Sequence, residues 1–354
     1  MKMGKFQKQQ KILLVLFLVF LFGCDKNDKA IVVNLNDIQD ITTEKFSELI
    51  VLDKKRDTVY FKQVADIILG TNSDIIVVDV TNSRLIQLDK DCNFKRYVGE
   101  QGSDPGEFNS IRGGVYYNGN YYIVDRAGQL IQKYDMNMNY ITSYKTKLNR
   151  CPDIAFLHEN EIISIHESSD NYIFCTRDTL GTIVRIFGNI AGNEKGLIIK
   201  NKQMKAPVRF VYDTLHKHIF LVSTFEPIIR RFDLEGNLLQ QINIKGSFID
   251  TIRFASKVAN QDYARMSNVI SGVPFLRNPS LAEGRLLVNI GMGGVGTLVL
   301  YYDKNGITDR KMIKYEIESR ENISGTLGLK DFSNINMKLL YDPVFEDNIL
   351  VSKD

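Results

Sequence analysis

The chain has 354 residues, with 45 basic and 42 acidic side chains, a formal net charge of +3 and a hydrophobic fraction of 44%. This ordinary globular composition excludes a disordered, collagen-like or coiled-coil protein. Four cysteines are too few for a scaffold held together by disulfides in a chain of this length. The length is compatible with two or three average domains or with one large domain.

The N-terminal segment has the pattern of an export signal. Residues 1–11 contain four lysines and no acidic residue, and residues 12–22 form an unbroken apolar run. Such a pair of segments is typical of a secretory signal peptide, and the run is too short to span a membrane. The run ends at Leu21-Phe22-Gly23-Cys24, which resembles the lipobox of bacterial lipoproteins, where the cysteine is lipidated. We predict a signal peptide over residues 1–23, lipidation of Cys24 and a polar tether over residues 24–29. A retained signal anchor and a chance cysteine are the alternatives.

Removal of this segment changes the charge balance. Without its four lysines the chain carries 41 basic and 42 acidic residues, so no basic excess remains for nucleic-acid binding. Acyl chains on Cys24 would anchor the protein to a membrane without crossing it. We therefore predict a lipid-anchored protein of the cell envelope at the outer membrane, facing either the periplasm or the cell surface.

Three further cysteines, Cys92, Cys151 and Cys175, follow the lipobox. An oxidising compartment would allow a disulfide between Cys151 and Cys175. Because three is an odd number, at least one thiol stays free. We favour buried thiols that act as small apolar side chains.

Short strand-like segments separated by turn residues repeat along the chain. Asp79 and Asp125 each end such a segment and lie 46 residues apart, and the same spacing separates Asp89 from Asp135. The strand-closing aspartate then recurs at Asp178, Asp233 and Asp303. Each unit holds four strands, and a repeat of about 40–50 residues with four strands is the pattern of a β-propeller.

We predict that residues 30–354 form one all-β domain, a six-bladed propeller of four-stranded antiparallel blades. Five units are evident, and Met337–Leu340 with Asn348–Val351 supply part of a sixth. The isolated N-terminal strand Ala30–Leu35 is expected to pair with these C-terminal strands and to close the ring, because an unpaired edge would be sticky. A short helix is an alternative for Asp37–Leu49.

One inter-blade segment resembles a known repeat. The stretch Tyr97–Phe108 carries spaced glycines and then Pro105-Gly106-Glu107-Phe108, followed by a strand and by Tyr121–Asp125. It is similar to the inter-blade loop of NHL-type propellers, which also often place an arginine where Arg84 stands. The whole chain resembles the six-bladed β-propeller lipoproteins of Gram-negative anaerobes. That resemblance implies the fold and the envelope location, and most members of that family have no established activity.

The propeller topology predicts a ligand-binding face where several loops meet at one end of the blades. Its candidate residues are charged or titratable: Arg84, Arg112, Asp125, Arg126, Arg150, His166, Glu167, Arg209 and Glu226. The long segment 245–280 would add a loop to this face. The alternative interpretation is that these charges form solvated salt bridges between blades.

Motifs for catalysis or for cofactors are weak. Residues 291–296 match G-x-G-x-x-G, but a strand-like segment follows where a dinucleotide site needs a helix, so we reject that interpretation. His216 and His218 could share a strand face, but no acid or cysteine joins them with the spacing of a zinc site. We predict no cofactor and no metal.

Two functions remain open at this point. The first is a non-enzymatic binding or scaffold module for a protein, a peptide or a glycan. The second is an extracytoplasmic hydrolase or lyase that acts on a polymer at the mouth of the propeller channel. The lyases among the NHL relatives use metal-binding histidines that the matching positions here lack, so we favour the binding module. The fold alone decides neither.

Overall fold

A computed structural model of the chain describes residues 30–48, 64–71, 74–146, 153–166, 172–189, 208–224, 226–254, 275–282, 284–290, 296–317, 328–332, 337–341 and 349–353. The signal peptide, Cys24 and the tether lie outside the described residues. No helix in the described part is long and apolar enough to cross a membrane.

The described strands begin with an N-terminal pair, β1 (Ala30–Asn34) and β2 (Ile41–Glu48), joined by a 3-10 turn at Leu35–Asp37. The first blade contains β3 (Val64–Leu69), β4 (Ile75–Asp79), β5 (Arg84–Leu88) and β6 (Phe94–Val98). The second contains β7 (Ile111–Tyr117), β8 (Asn120–Asp125), β9 (Leu130–Tyr134) and β10 (Tyr140–Lys145). The third contains β11 (Ala155–His158), β12 (Glu161–Ile165), β13 (Tyr172–Arg177) and β14 (Ile183–Asn189).

The fourth blade contains β15 (Val208–Asp213), β16 (His218–Ser223), β17 (Ile228–Phe232) and β18 (Leu238–Lys245). The fifth contains β19 (Leu276–Ala282), β20 (Arg285–Ile290), β21 (Gly296–Tyr302) and β22 (Ile307–Ile317). The chain ends with β23 (Gly328–Phe332), β24 (Met337–Tyr341) and β25 (Ile349–Lys353). Within each blade, consecutive strands pair antiparallel, which confirms an all-β propeller of four-stranded blades.

The prediction of six blades is wrong for the described residues, which form five. Strands β23–β25 do not stand as a separate sheet. They join the fifth blade through β2, in the order β19-β20-β21-β22-β2-β25-β24-β23. The apolar pattern of the C-terminal segments predicted strands correctly, but it carried no information about which sheet they enter.

The N-terminal pairing also differs from the prediction. Strand β1 does not meet the C-terminal strands; it lies parallel to β18 at the outer edge of the fourth blade. The segment with a possible short helix instead forms β2, which runs parallel to β22 and contacts β25 through Ser47 and Glu48. Both additions cover outer edges whose backbone groups would otherwise be unpaired.

Both faces of the central strands are buried, which explains why their sequences are apolar without alternation. All five residues of β4 are buried, although Asp79 is the last of them. Separate apolar clusters fill the contacts between the first and second, the second and third, the third and fourth, and the fourth and fifth blades. A single blade could not bury both of its faces alone, so neighbouring blades stabilise one another.

The repeating aspartates hold the turns between the third and fourth strands. In the first blade, the Asp89 carboxylate accepts hydrogen bonds from the backbone N–H groups of Asp91 and Asn93 and from the Asn93 side chain. Burial alone would raise the pKa of Asp89, but these hydrogen bonds lower it below its usual value. Equivalent turns are closed by Asp135, Asp178, Asp233 and Asp303. The 46-residue period is therefore a repeat of turn chemistry.

The segment that resembles an NHL inter-blade loop wedges one aromatic ring between two blades. Phe108 is fully buried in the cluster between the first and second blades, with its ring centroid 6.2 Å from that of Tyr134. Gly99 has a φ of +74°, and a Cβ atom there would lie 2.3 Å from the Phe108 ring. The glycine is required both by its backbone conformation and by this close approach.

We expect Phe108→Ala to lower the free energy of unfolding by about 3–5 kcal/mol, because it leaves a cavity where two blades meet. Urea denaturation followed by circular dichroism measures the change. Phe254→Ala is the matched control, because Phe254 is 70% exposed and its loss should change the stability by less than about 0.5 kcal/mol. Equal effects of the two substitutions would contradict this role of Phe108.

One helix lies in the segment predicted to be a long loop. Residues 247–254 are helical, and Ile249 and Ile252 are buried in the cluster between the fourth and fifth blades. Their spacing of three places both side chains on one helix face. The sequence therefore contained a signal for this helix.

Candidate functional site

We define the loop face as the end of the blades where the second strands end and the third strands begin. It includes 79–84, 99–112, 125–130, Asp153, His166, Arg209 and Glu226. The candidate residues Arg84, Arg112, Asp125, Arg126, His166, Arg209 and Glu226 all lie on this face. Arg150 and Glu167 lie outside the described residues.

Asp125 holds the loop between the first two blades in place. Its side chain is buried, and its carboxylate accepts hydrogen bonds from the backbone N–H groups of Asn109 (2.8 Å), Ser110 (2.8 Å) and Gly128 (3.2 Å). Asp79, at the equivalent end of β4, accepts a hydrogen bond from the Asn82 side chain and lies 3.5 Å from the Arg84 Nε. Both oxygens of the Asp125 carboxylate are therefore directed at backbone donors of the loop.

We expect Asp125→Ala to cost about 3 kcal/mol or more, because three backbone donors lose a charged acceptor. Asp125→Asn should also destabilise, because the amide nitrogen cannot accept from these donors. Thermal and urea unfolding measure both changes. Asp91→Asn serves as the exposed control and should be nearly neutral. A neutral Asp125→Ala variant would show that the carboxylate does not hold the loop.

Arg84 lies at the rim of the loop face and is engaged on two sides. Its guanidinium carbon is 3.8 Å from the centroid of the Tyr97 ring, and its Nε lies near the Asp79 carboxylate. A guanidinium over an aromatic face is attracted by the ring quadrupole. This stacking fixes Arg84 above the outer strand of the first blade.

Arg112 and Arg126 occupy the same corner of the second blade. Ile111 lies opposite Asp125 in the β7–β8 register, and the Arg126 N–H donates to the Ser110 carbonyl at 2.9 Å. The buried Nε of Arg112 has no hydrogen-bond partner among the described residues. Burial lowers the pKa of Arg112, and the positive charge of Arg126 lowers it further. Two cations therefore influence each other directly at this corner.

Arg209 is neutralised by the neighbouring blade. Its Nε lies 2.8 Å from both Asp153 carboxylate oxygens, and the terminal guanidinium nitrogen lies 2.7 Å from one of them. The Phe210 N–H also donates to Asp153. Asp153 precedes β11, whereas Arg209 lies in β15. Arg209 therefore forms a salt bridge between the third and fourth blades.

Arg277 belongs to this group, although the sequence analysis left it inside the 245–280 segment. Arg112, Arg209 and Arg277 are each the second residue of an innermost strand, after Ile111, Val208 and Leu276. Arg209 and Arg277 lie opposite Val222 and Asn289, the second-last residues of β16 and β20. The sequence signal that could have identified Arg277 is an apolar residue followed by arginine at the start of an innermost strand.

His166 and Glu226 have structural contacts on the same face. His166 is buried, and its backbone N–H donates to the Ile173 carbonyl at 2.7 Å, which continues the β12–β13 ladder. The Glu226 carbonyl accepts from Ile228 at the start of β17. His166 thus sits at the end of a second strand, as Asp79 and Asp125 do.

A cluster of titratable groups lies at the opposite end of the blades, between the fourth and fifth blades. The His216 Nδ1 and an Asp213 carboxylate oxygen are 2.6 Å apart, and the His216 ring packs edge-on against Tyr302. Arg231 is buried and donates to the carbonyls of Asp303 and Asn305 across the blade contact. No set of three metal-ligating side chains is placed to hold a metal ion in the described part of the chain.

His218 lies buried in this cluster. Burial lowers its pKa, and the positive charge of Arg231 lowers it further. Because the unfolded chain binds this proton at a higher pH than the folded chain, the neutral His218 contributes stability above pH about 6.5 that is lost as the pH falls. The contact between the fourth and fifth blades is therefore acid-sensitive.

We expect the free energy of unfolding to decrease between pH 7 and pH 5, with a smaller slope in His218→Phe. Urea titrations at several pH values measure this slope. His158→Gln, at an exposed histidine of the third blade, is the control. An unchanged slope in His218→Phe would place the acid sensitivity elsewhere.

The other cysteines are partly described. Cys175 is buried with its thiol 3.3 Å from the Ser164 hydroxyl, and neither Cys175 nor Cys92 forms a disulfide. The alternative disulfide between Cys151 and Cys175 is therefore wrong. Cys151 itself lies outside the described residues.

The glycine-rich stretch at residues 291–296 is followed by a strand, β21, which begins at Gly296. A dinucleotide site of the G-x-G-x-x-G type would need a helix at this position.

No family model matches the sequence, and no curated protein matches it. Among solved structures, a predicted exported protein from Bacteroides fragilis NCTC 9343 is 16% identical with a TM-score of 0.56, over 88% of this chain and 98% of its own. A member of the DUF4221 family from Bacteroides vulgatus is 10% identical with a TM-score of 0.49, over 84% and 92%. The WD40 β-propeller domain of Doa1 is 10% identical with a TM-score of 0.47, over 84% and 95%. At such identities the first likeness shows the fold alone.

Proposed function

We propose that the protein is a non-enzymatic binding module that recognises a protein, peptide or glycan with its loop face. The observation that carries this proposal is how the charges on that face are used. Three of its described carboxylates, Asp79, Asp125 and Asp153, hold loops or a neighbouring arginine. Acid–base catalysis needs a carboxyl or imidazole group that can exchange a proton with a substrate. A rigid face with basic side chains on it suits recognition better.

The proposal includes export and a lipid anchor at Cys24 in the outer membrane. The lipobox-like sequence and the preceding basic and apolar segments support it. The fold is shared with a predicted exported protein, which agrees with a location outside the cytoplasm. A single acyl chain binds membranes only marginally, so stable attachment needs the multiple acyl chains of a lipoprotein.

We expect wild-type protein to be recovered with membranes after cell fractionation and Cys24→Ala to be recovered in the soluble fraction. Metabolic labelling with a fatty acid should mark only the wild type. Equal membrane recovery of both forms would contradict lipid anchoring, without bearing on the loop face.

Recognition is tested by affinity capture from solubilised membranes. The loop-face variant combines Arg84→Glu with Arg126→Glu, and the control combines Lys90→Glu with Lys304→Glu at exposed positions on the opposite ends of the blades. We expect a stoichiometric partner that the control retains and the loop-face variant loses by tenfold or more. A partner captured equally by both variants would place recognition elsewhere, and the proposal would fail.

A further inference from the structure

Two exposed apolar side chains lie close to the point where the described chain begins. Val32, in the middle of β1, is 51% exposed, and Phe254, the last residue of the helix at 247–254, is 70% exposed. Other side chains of the same two segments pack in the contact between the fourth and fifth blades, and these are Val33, Ile249 and Ile252. Each segment is therefore fixed to the core by one face and presents an apolar side chain on the other.

The strand β1 and this helix form one continuous surface. Just beyond β1, the Asn36 side-chain oxygen accepts from the backbone N–H of Ser247 at 3.3 Å and from the Ser247 hydroxyl at 3.2 Å. The helix that starts at Ser247 extends about 12 Å, at 1.5 Å per residue. We call this surface, residues 30–36 and 247–254, the anchor rim, because it lies along the outer edge of the fourth blade.

The predicted lipid anchor lies close to the anchor rim along the chain. Only residues 25–29 separate Cys24 from Ala30. A segment of this length spans at most about 20 Å when fully extended. A folded domain of about this size has a diameter on the order of 50 Å. The side of the propeller opposite the fourth blade therefore cannot be the side that rests on the lipid.

The two ends of the blades are less suited to a lipid surface than the anchor rim. Because consecutive strands of a blade are antiparallel, the turns between the third and fourth strands lie at the end opposite the loop face. That end carries the five turn aspartates Asp89, Asp135, Asp178, Asp233 and Asp303. Lipid phosphates would repel these carboxylates. The loop face has to stay accessible for the proposed recognition.

We propose that the anchor rim rests on the lipid surface, with Val32 and Phe254 inserted among the headgroups. This inference rests on the lipid anchor of the proposed function and adds the orientation of the propeller on the membrane. Apolar side chains of interfacial segments reach about 5–10 Å into the boundary between headgroups and acyl chains. The acyl chains on Cys24 keep the rim at a high effective concentration near the lipid, so two side chains suffice to orient the domain. The loop face then points sideways and stays open to a ligand.

The experiment uses the absence of tryptophan from the sequence, because a single introduced tryptophan then reports only on its own surroundings. The lipidated full chain is reconstituted with phosphatidylcholine vesicles, with or without brominated acyl chains, and flotation measures its attachment. In Phe254→Trp and Val32→Trp we expect emission at shorter wavelength and a twofold or greater loss of intensity in the brominated lipid. Ala30→Trp, on the same side of β1, is the second reporter if Val32→Trp lowers the melting temperature.

Two variants at exposed apolar positions away from the anchor rim are the matched controls. Ile141 lies in β10, the outer strand of the second blade, and is 48% exposed. Leu215 lies in the turn between β15 and β16, at the end opposite the loop face, and is 76% exposed. Ile141→Trp and Leu215→Trp should float with the vesicles and keep their emission and intensity in the brominated lipid.

Three results on floating protein would overturn the inference and leave the lipid anchor intact. Unquenched Phe254→Trp would show that the anchor rim does not touch the lipid. Quenching of Phe254→Trp without quenching in β1 would place the loop face against the lipid, and quenching of Leu215→Trp would place the opposite end there. Failure of the lipidated wild type to float would instead refute the anchor of the proposed function, and this inference with it.

Discussion

The described structure depends on the burial of apolar faces between neighbouring four-stranded sheets. Strand β4 has no exposed residue, and the apolar clusters lie between sheets and not inside any one of them. Burial of apolar surface is worth about 25 cal/mol per Å², and a lone blade would expose the apolar surface of both its faces. Each blade is therefore folded only in the presence of its neighbours. Phe108 contributes to this burial, because its ring extends from the connecting loop into the apolar contact between two blades.

Carboxylates impose a second constraint, and they do so on the backbone. Asp89 and its equivalents close the turns at one end of the blades, and Asp79 and Asp125 stabilise the loops at the other end. Both uses exchange hydration of a charged oxygen for hydrogen bonds from nearby N–H or side-chain donors. Asp79 and Asp153 also pair with the arginines Arg84 and Arg209 of the loop face. The electrostatic character of that face follows from how its aspartates are used.

The sequence predicted the repeating features, which are the four strands of each blade and their turns. It did not predict the pairings of β1, β2 and β23–β25, which occur once. The spacing of Asp89 and Asp135 and the apolar strands between turns were sufficient for a four-stranded propeller, because each blade reuses the same turn chemistry. The partner of β1 could not be predicted, since an apolar strand is suited to any open edge and parallel addition to β18 leaves no local pattern. The number of blades could not be predicted for the same reason, because the sequence does not show that β23–β25 join the fifth blade through β2.

At the candidate site, the sequence placed the candidate residues at one end of the blades but did not indicate what each side chain contacts. Asp125 and Arg112 are close in the chain, and each carries one charge. The Asp125 carboxylate accepts from backbone donors, whereas the charge of Arg126 acts on Arg112. That difference depends on side-chain direction, which composition and spacing do not encode. Arg277 was missed because its strand was taken for part of a long loop.

The pairing of β1 with β18 has a consequence for how the protein folds. Residues 30–34 lie against residues 241–245, so β1 completes a sheet whose other strands follow about 200 residues later in the chain. Non-local pairing of this kind slows folding, because a large loop must be closed before the contact is made. Until then the apolar strand β1 has no sheet to join, and it resembles the exposed segments that chaperones bind during folding. Its docking onto the fourth blade therefore requires that the chain as far as β18 is present and that the sheet β15–β18 has formed.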